Sequence, residues 1–132
     1  MQIHESAEDY LETILMLEER GIPVRSIDIV NELHYSKPSV SIAMKKLREN
    51  GCIRMDPSGR IVLLAPGRRI AEEIWARHRL LASMLMAVGV SEQTAARQAC
   101  RIEHDIDDDT YQKLYAYYTA HMAPQQEEEN IK

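Results

Sequence analysis

Long apolar runs and export features are missing from this 132-residue sequence. No apolar stretch approaches the ~20 residues needed to cross a bilayer, so we expect no membrane partner. The N-terminus MQIHESAEDY has no basic stretch followed by an apolar core, so no secretion signal is expected. The cysteines are two, Cys52 and Cys100, which favours reduced thiols or a ligand role over a disulfide framework. We therefore expect a cytoplasmic protein.

Motifs typical of several enzyme classes are also absent. The sequence has no Gly-rich phosphate loop, no nucleophile elbow and no HExxH segment. It also lacks the paired Cys and His spacing of a zinc finger. We therefore predict that the protein is not an enzyme, and our predicted partners include no small organic ligand.

Charge is distributed unevenly along a chain whose formal net charge is −5. Residues 37–79 contain ten basic and four acidic side chains, whereas residues 1–36 contain two basic and eight acidic ones. Residues 80–132 contain four basic and nine acidic side chains. A basic middle between acidic ends predicts a surface that faces a polyanion such as DNA, although solvated helix faces produce the same pattern.

Two short amphipathic segments in the first half of the chain predict a helix-turn-helix. The first spans 26–34, and the second begins near Pro38 and ends near Asn50. Ser36 suits the N-cap of the second helix, and Pro38 suits its first turn, where a missing N–H has no cost. An ordinary antiparallel helix pair would give the same pattern, so the helix-turn-helix interpretation needs further support.

That support comes from the residues that follow. Ile53–Met55 and Arg60–Leu64 are predicted strands around the turn sequence DPSG, and two helices followed by a hairpin is the order of a winged helix. Basic and small polar side chains in this region suit contacts to phosphates and base edges. The predicted DNA-binding residues are Arg25, Ser36, Lys37, Pro38, Ser39, Ser41, Lys45, Arg54 and Arg60.

The segment CRIEH carries the strongest indication of a metal site. On a helix, residues three and four apart share a face, so Cys100, Glu103 and His104 are expected to point the same way. A thiolate, a carboxylate and an imidazole together offer half of a transition-metal site. We expect this helix to run from Ser91 to about Ile106.

Two further clusters are candidates to complete that site. Asp9 and Glu12 lie one turn apart on a predicted helix over 5–20, and His78 lies inside a long predicted helix over about 66–88. Each has an ordinary explanation as well: first-turn acids favour the helix dipole, and a single histidine is commonly a core or surface group. We hypothesise that this acidic pair, His78 and the three ligand candidates of CRIEH all bind the same ion.

A final helix is predicted from Asp107 or Asp108, rich in tyrosines that suit either a partner surface or a core. Residues 123–132 have no periodicity and are expected to be a disordered acidic tail. The predicted fold is mainly α, with an N-terminal winged helix-turn-helix and its small β-hairpin wing, followed by an α-helical domain. We place the domains at 1–64 and 65–122, with 66–88 as the linking helix.

The chain resembles the diphtheria-toxin-repressor family, and in size it is similar to the manganese-transport-regulator branch. The resemblance covers roughly residues 5–122 and rests on Ser6–Glu12, Ser36–Ser41, Arg77–Leu81 and Cys100–His104. It implies a homodimeric, metal-activated repressor in which a winged helix binds an operator in double-stranded DNA. The second domain would then bind metal and form the dimer.

The resemblance also implies a ligand set, with mixed features. The manganese branch has Glu where this chain has Cys100, and the iron branch has Met where this chain has Asp9. Hard oxygen donors suit Mn²⁺, whereas a thiolate favours Fe²⁺, Co²⁺ or Zn²⁺, so we expect Mn²⁺ or Fe²⁺, with one or two ions per subunit and Co²⁺ or Zn²⁺ as substitutes. The predicted metal ligands are Asp9, Glu12, His78, Cys100, Glu103 and His104.

Two other functions remain open at this point. Cys100 is a candidate thiol redox sensor in a winged-helix regulator, its pKa tuned by the neighbouring His and Glu. A metal-buffering protein with no DNA role is the third interpretation. The metal-activated repressor alone uses both the basic middle of the chain and the scattered ligand candidates, so it is our leading prediction.

Overall fold

A computed structural model describes residues 5–124, so the predicted tail lies almost wholly outside the described residues. The described chain forms two compact units, one ending at Trp75 and the other beginning at Ala76. The elements are α1 (Glu5–Glu19), α2 (Ser26–Leu33), α3 (Lys37–Glu49), β1 (Ile53–Met55), β2 (Ile61–Leu63), α4 (Ala65–Ala87), α5 (Glu92–Ile102) and α6 (Asp108–His121).

The first unit is built around an apolar core shared by its helices and its hairpin. Leu11 and Ile14 of α1, Ile29 of α2, and Val40 and Met44 of α3 are all at most 1% exposed. The two residues named in α1 are three positions apart and the two in α3 are four apart, which places each pair on one face of its helix. Burial of these side chains therefore holds three short helices together that would be marginal alone.

The helix-turn-helix begins and ends as the sequence predicts. Ser36 is the N-cap of α3, where its hydroxyl accepts a hydrogen bond from the Ser39 N–H at 3.2 Å, and Pro38 lies in the first turn. The tight connection from α2 passes through His34, whose φ of 59° is left-handed. A left-handed residue at the end of a helix reverses the chain within a few residues, which brings α3 back against α2.

The hairpin after α3 is shorter than predicted on one side. β1 and β2 are antiparallel, with Ile53 opposite Leu63 and Met55 opposite Ile61, so the strand predicted over 60–64 covers only three residues. Ile53 and Ile61 are buried, whereas Arg54 between the core-facing positions is exposed. The alternation of a strand thus turns one face to the core and an arginine to solvent.

The second unit consists of the last part of α4 with α5 and α6. Leu80 and Leu81 of α4 and Ala95 and Ala99 of α5 are buried. The predicted cap at Asp107 is confirmed, since its carboxylate accepts from the Thr110 N–H at 2.7 Å.

The predicted end of α5 near Ile106 is wrong. The helix ends at Ile102, because the Asp105 N–H turns back to the Ile102 carbonyl at 2.9 Å. Glu103 is the C-cap with helical φ and ψ, and its N–H still bonds to Ala99. Glu103 and His104 therefore lie in the turn that follows α5 rather than inside it.

The predicted fold class is confirmed: three helices, a two-stranded hairpin and then a helical unit follow one another in the expected order. Within residues 5–124, every helix is too short or too polar to cross a lipid bilayer.

Candidate metal centre and nucleic-acid interface

Three predicted ligands of the second unit lie together: two histidines flank the carboxylate of Glu103. His78 Nδ1 is 2.9 Å from Glu103 Oε2, and His104 Nε2 is 3.5 Å from Glu103 Oε1. The Glu103 side chain is fully buried, His104 is 3% exposed and His78 is 19% exposed. α4 therefore supplies one imidazole, and the turn after α5 supplies the carboxylate and the second imidazole.

This arrangement fits the chemistry of a divalent cation. A buried carboxylate is costly unless charges or hydrogen bonds compensate it, and a divalent cation held between this carboxylate and the two imidazoles would supply such compensation. Adjacent ligands of an octahedral ion with bonds of about 2.1 Å lie about 3 Å apart. The separation of His78 Nδ1 and Glu103 Oε2 has that value, and nitrogen with oxygen is a donor set that Mn²⁺ and Fe²⁺ accept.

Cys100 lies beside this cluster. Its Sγ is within 4.8 Å of a Glu103 carboxylate oxygen, as expected for residues one helical turn apart. The Cys100 residue is exposed, unlike Glu103. Cys100 is therefore the most exposed residue of this group of ligand candidates in the second unit.

Asp9 and Glu12 belong to the first unit, where they lie one turn apart on α1. Asp9 is partly buried and Glu12 is only 8% exposed. Both acids lie beyond the first described turn of α1. Because the helix dipole acts mainly within that turn, it does not explain why acidic residues stand at these two positions.

The hydroxyl of Tyr10, next to Asp9, also titrates differently from a free tyrosine. Burial raises the pKa of this hydroxyl, with smaller contributions from Tyr35 and Asp9.

Arg77 supports the turn that carries Glu103 and His104, and this role was not predicted from the sequence. Its guanidinium donates to the carbonyl oxygen of Ile106 at 2.6 Å and lies 3.5 Å from that of Glu103. It also sits 5.9 Å from the ring centroid of Tyr111 on α6. The sequence shows only that Arg77 precedes His78 in a basic stretch, and that pattern contains no sign of a carbonyl acceptor beyond α5.

The candidate DNA-binding residues belong to the first unit, and each of them is exposed. Ile42 of α3, an apolar residue that was not predicted to contact DNA, is 58% exposed. Apolar contact is one way in which side chains distinguish a thymine methyl group. The predicted contacts are all exposed: Arg25, Ser36, Lys37, Pro38, Ser39, Ser41, Lys45, Arg54 and Arg60.

Both units match models of known domains. Residues 2–60 match the iron dependent repressor N-terminal DNA binding domain, and residues 65–125 match the iron dependent repressor metal binding and dimerisation domain. The fold and the site thus define a metal-dependent DNA-binding regulator. The chain belongs to the iron-dependent repressor family, which includes the diphtheria-toxin repressor and the manganese regulators.

Curated relatives come from both branches of this family. The transcriptional regulator MntR of Escherichia coli O6:H1 is 31% identical over 119 residues, which cover 90% of this chain and 77% of MntR. The iron-dependent repressor IdeR of Mycobacterium leprae is 30% identical over 111 residues, which cover 83% of this chain and 48% of IdeR.

Solved structures agree with the fold. A manganese-dependent transcriptional repressor in complex with manganese gives a TM-score of 0.77 at 28% identity, covering 83% of this chain and 51% of that one. The manganese regulator SloR gives 0.76 at 26% identity, covering 90% of this chain and 55% of that one. This chain therefore spans about half the length of these two structures.

Proposed function

We propose that this protein is a metal-activated transcriptional repressor of metal homeostasis genes. The observation that carries the proposal is the buried Glu103 carboxylate between His78 and His104, inside the region that matches a metal-binding and dimerisation domain. Its proposed domains are 1–64 for DNA binding and 65–122 for metal binding and dimer formation.

Helix α3 is the proposed recognition helix. Its N-cap Ser36 and first residue Lys37 are exposed, and its exposed face includes Ser41 and Lys45. Small hydroxyl side chains allow a close approach to the major groove, and lysines contact phosphates without reading sequence. Arg54 of β1 and Arg60 before β2 would contact the phosphate backbone beside the groove. In a symmetric dimer, two such helices would bind the two half-sites of an operator.

The proposed ligands come from both units. Asp9 and Glu12 would bind from α1, His78 from α4, and Cys100, Glu103 and His104 from α5 and its following turn. A bound divalent cation supplies positive charge that offsets the repulsion among these carboxylates. Asp9 and Glu12 would thereby attach the DNA-binding unit to the dimer-forming unit, and so fix the orientation of α3 for operator binding.

The donor set narrows the choice of metal. Three carboxylates and two imidazoles are ligands for Mn²⁺ or Fe²⁺, and six candidate groups are enough for one ion or for two that share a carboxylate. Relatives named for manganese and for iron both match this chain, which fits the mixed donor set. We therefore propose Mn²⁺ or Fe²⁺ as the co-repressor, with Co²⁺ and Zn²⁺ as substitutes in vitro.

The test compares duplex binding with and without metal in two variants. Glu103→Gln keeps the volume of a fully buried side chain and removes its charge, and His104→Ala removes an imidazole. Both should abolish the increase in operator affinity that Mn²⁺ produces, while thermal melting stays cooperative. Glu92→Gln, an exposed change at the start of α5, is the control. Unchanged stimulation in Glu103→Gln would reject the ligand assignment.

A second candidate function rests on the exposure of Cys100. An exposed cysteine is a target for oxidants, whereas Cys52 is fully buried and burial raises the pKa of its thiol. A redox sensor would release DNA on treatment with peroxide whether or not chelator is present, and Cys100→Ser would abolish that response. The repressor proposal predicts release by chelator in the wild type and in Cys100→Ser alike.

A further inference from the structure

The tip of the β1–β2 hairpin is closed by a single carboxylate oxygen. Asp56 Oδ1 accepts hydrogen bonds from the Ser58 N–H at 2.9 Å, the Ser58 hydroxyl at 2.6 Å and the Arg60 N–H at 2.9 Å. The Asp56 N–H in turn donates to the Arg60 carbonyl at 2.9 Å. These four bonds fix the conformation of the loop and with it the backbone from which the Arg60 side chain extends.

The same loop is attached to the segment that enters α2. Arg25 Nε donates to the Ser58 carbonyl at 3.4 Å. At the loop end of β2, the Ile61 N–H donates to the Val24 carbonyl at 2.8 Å. The loop end of the hairpin is thus held by two contacts to the consecutive residues Val24 and Arg25, which fixes its position beside the helix-turn-helix within the first unit.

The charge of Asp56 opposes DNA binding if charge alone is considered. Its carboxylate lies between exposed Arg54 and exposed Arg60 in sequence, on a hairpin proposed to face phosphates. Hydrogen bonds from Ser58 and Arg60 lower the pKa of Asp56, so the group is ionised at neutral pH. An anion placed there repels the DNA backbone, so simple electrostatics predicts that its removal should tighten binding.

We propose that Asp56 is a positioning residue for DNA binding: through Ser58 and Arg60 it holds the hairpin tip in the conformation in which the hairpin arginines contact phosphates. The proposal rests on the proposed contact of Arg54 and Arg60 with the DNA backbone. It predicts that loss of the Asp56 side chain weakens DNA binding, which is the opposite of the electrostatic expectation.

The experiment measures binding of the full-length, Mn²⁺-loaded protein to labelled mixed-sequence duplex DNA over a series of KCl concentrations. Each phosphate contact contributes about 0.9 to the slope of log affinity against log salt concentration. Arg60→Ala should therefore reduce the slope by about 0.9, and Asp56→Ala should reduce it by about 0.9–1.8 and weaken binding. Asp56→Asn keeps the Oδ1 acceptor and removes the charge, so it should retain the wild-type slope and bind at least as tightly.

A milder variant keeps the test decisive if Asp56→Ala fails to fold. Ser58→Ala removes one hydrogen bond to Asp56 without changing any charge, and should also weaken binding and reduce the slope. Asp56→Ala or Ser58→Ala with wild-type slope and affinity would overturn the positioning role, as would an Asp56→Asn that behaves like Asp56→Ala. An unchanged slope in Arg60→Ala would instead reject the hairpin contact of the proposed function, and the positioning role with it.

Discussion

The guanidinium of Arg77 donates to the carbonyl oxygen of Ile106 at 2.6 Å, across 29 positions in the sequence. The same group lies 3.5 Å from the Glu103 carbonyl and over the ring of Tyr111. A single side chain of α4 thus fixes both ends of the turn that carries Glu103 and His104. The geometry of the candidate metal centre therefore depends on a residue that is not itself a ligand candidate.

This contact predicts that Arg77→Lys weakens metal binding although the charge is kept. Both contacts come from Nη1 of the rigid, planar guanidinium, and an ammonium group on a flexible stem does not hold a donor in that fixed position, so the turn loses its support. We expect the affinity for Mn²⁺ to fall by about tenfold or more, the size found when residues behind a metal ligand are changed. Isothermal titration calorimetry measures this, with exposed Arg97→Lys on α5 as the control. Equal affinities in the two variants would contradict the support role.

The proposed ligand role of Cys100 predicts a change in metal preference. Cys100→Ser replaces a soft sulfur donor by a hard oxygen, which should lower the affinity for Co²⁺ or Zn²⁺ more than the affinity for Mn²⁺. A difference of about tenfold is expected, since even changes behind the ligands have effects of that size. Competition titrations with a chromophoric chelator give each affinity. Parallel losses for all metals would argue against a thiolate ligand.

The capping carboxylate of α6 predicts a pH dependence of stability. Hydrogen bonds from Thr110 lower the pKa of Asp107. A lowered pKa in the folded protein means that the ionised group stabilises the fold above its unfolded pKa of about 3.9. That contribution is lost as the pH falls through the lowered folded value.

Thermal melts of the metal-free wild type and of Asp107→Asn, recorded from neutral pH into the acid range, isolate this contribution. Asparagine also caps helices but does not titrate, so the melting temperature of the wild type should exceed that of Asp107→Asn at neutral pH. The difference should shrink below about pH 4. A difference that does not vary with pH would show that the charge of Asp107 has no role.

Close packing at the start of α4 predicts that replacing Gly67 by alanine destabilises the protein, although glycine-to-alanine changes usually stabilise a helix. In an exposed helix, Gly→Ala stabilises by up to about 1 kcal/mol. At Gly67, however, a Cβ would overlap the carbonyl oxygen of Cys52, and that carbonyl is backbone that already accepts from the Leu64 N–H at 2.9 Å.

Gly67→Ala should therefore destabilise the protein by about 1–3 kcal/mol, as overpacked sites do. Urea denaturation measures the change, with Glu72→Ala on the exposed face of α4 as a control expected within about 0.5 kcal/mol of the wild type. A stabilised Gly67→Ala would mean that α4 can move away from Cys52 at little cost.

Local patterns in the sequence were sufficient for most of the fold. Ser36 with Pro38 marks the start of α3, and the turn sequence at Asp56 separates two strands, because caps and turns depend on a few neighbouring residues. The end of α5 was misplaced by four residues. The residue types at 103–106 are all compatible with a helix, so the sequence gives no sign that α5 ends at Ile102. The contact of Arg77 with the Ile106 carbonyl, made in the turn after α5, joins residues too far apart in the sequence for spacing to predict it.

Residue type and spacing predicted which residues form the candidate site, but they predicted few of the contacts between these residues. One helical turn between Cys100 and Glu103 predicted their proximity, since that distance follows from helix geometry. The pairing of His78 with Glu103 was reached only as a hypothesis, because no local rule relates residues on different helices. The bonds from Arg77 were missed, since they depend on backbone carbonyl groups that no sequence pattern displays. At Asp56 the turn sequence predicted a turn, but not the individual bonds that its carboxylate accepts.

We propose that metal and DNA bind to the same conformation of the protein, so each must strengthen binding of the other by one common factor. The direct measurement is the affinity for Mn²⁺ of the protein alone and of the protein saturated with a duplex selected for tight binding. We predict that the duplex raises the Mn²⁺ affinity by about 5–150-fold, and by the same factor by which Mn²⁺ raises the affinity for that duplex. Identical Mn²⁺ affinities with and without the duplex would contradict it.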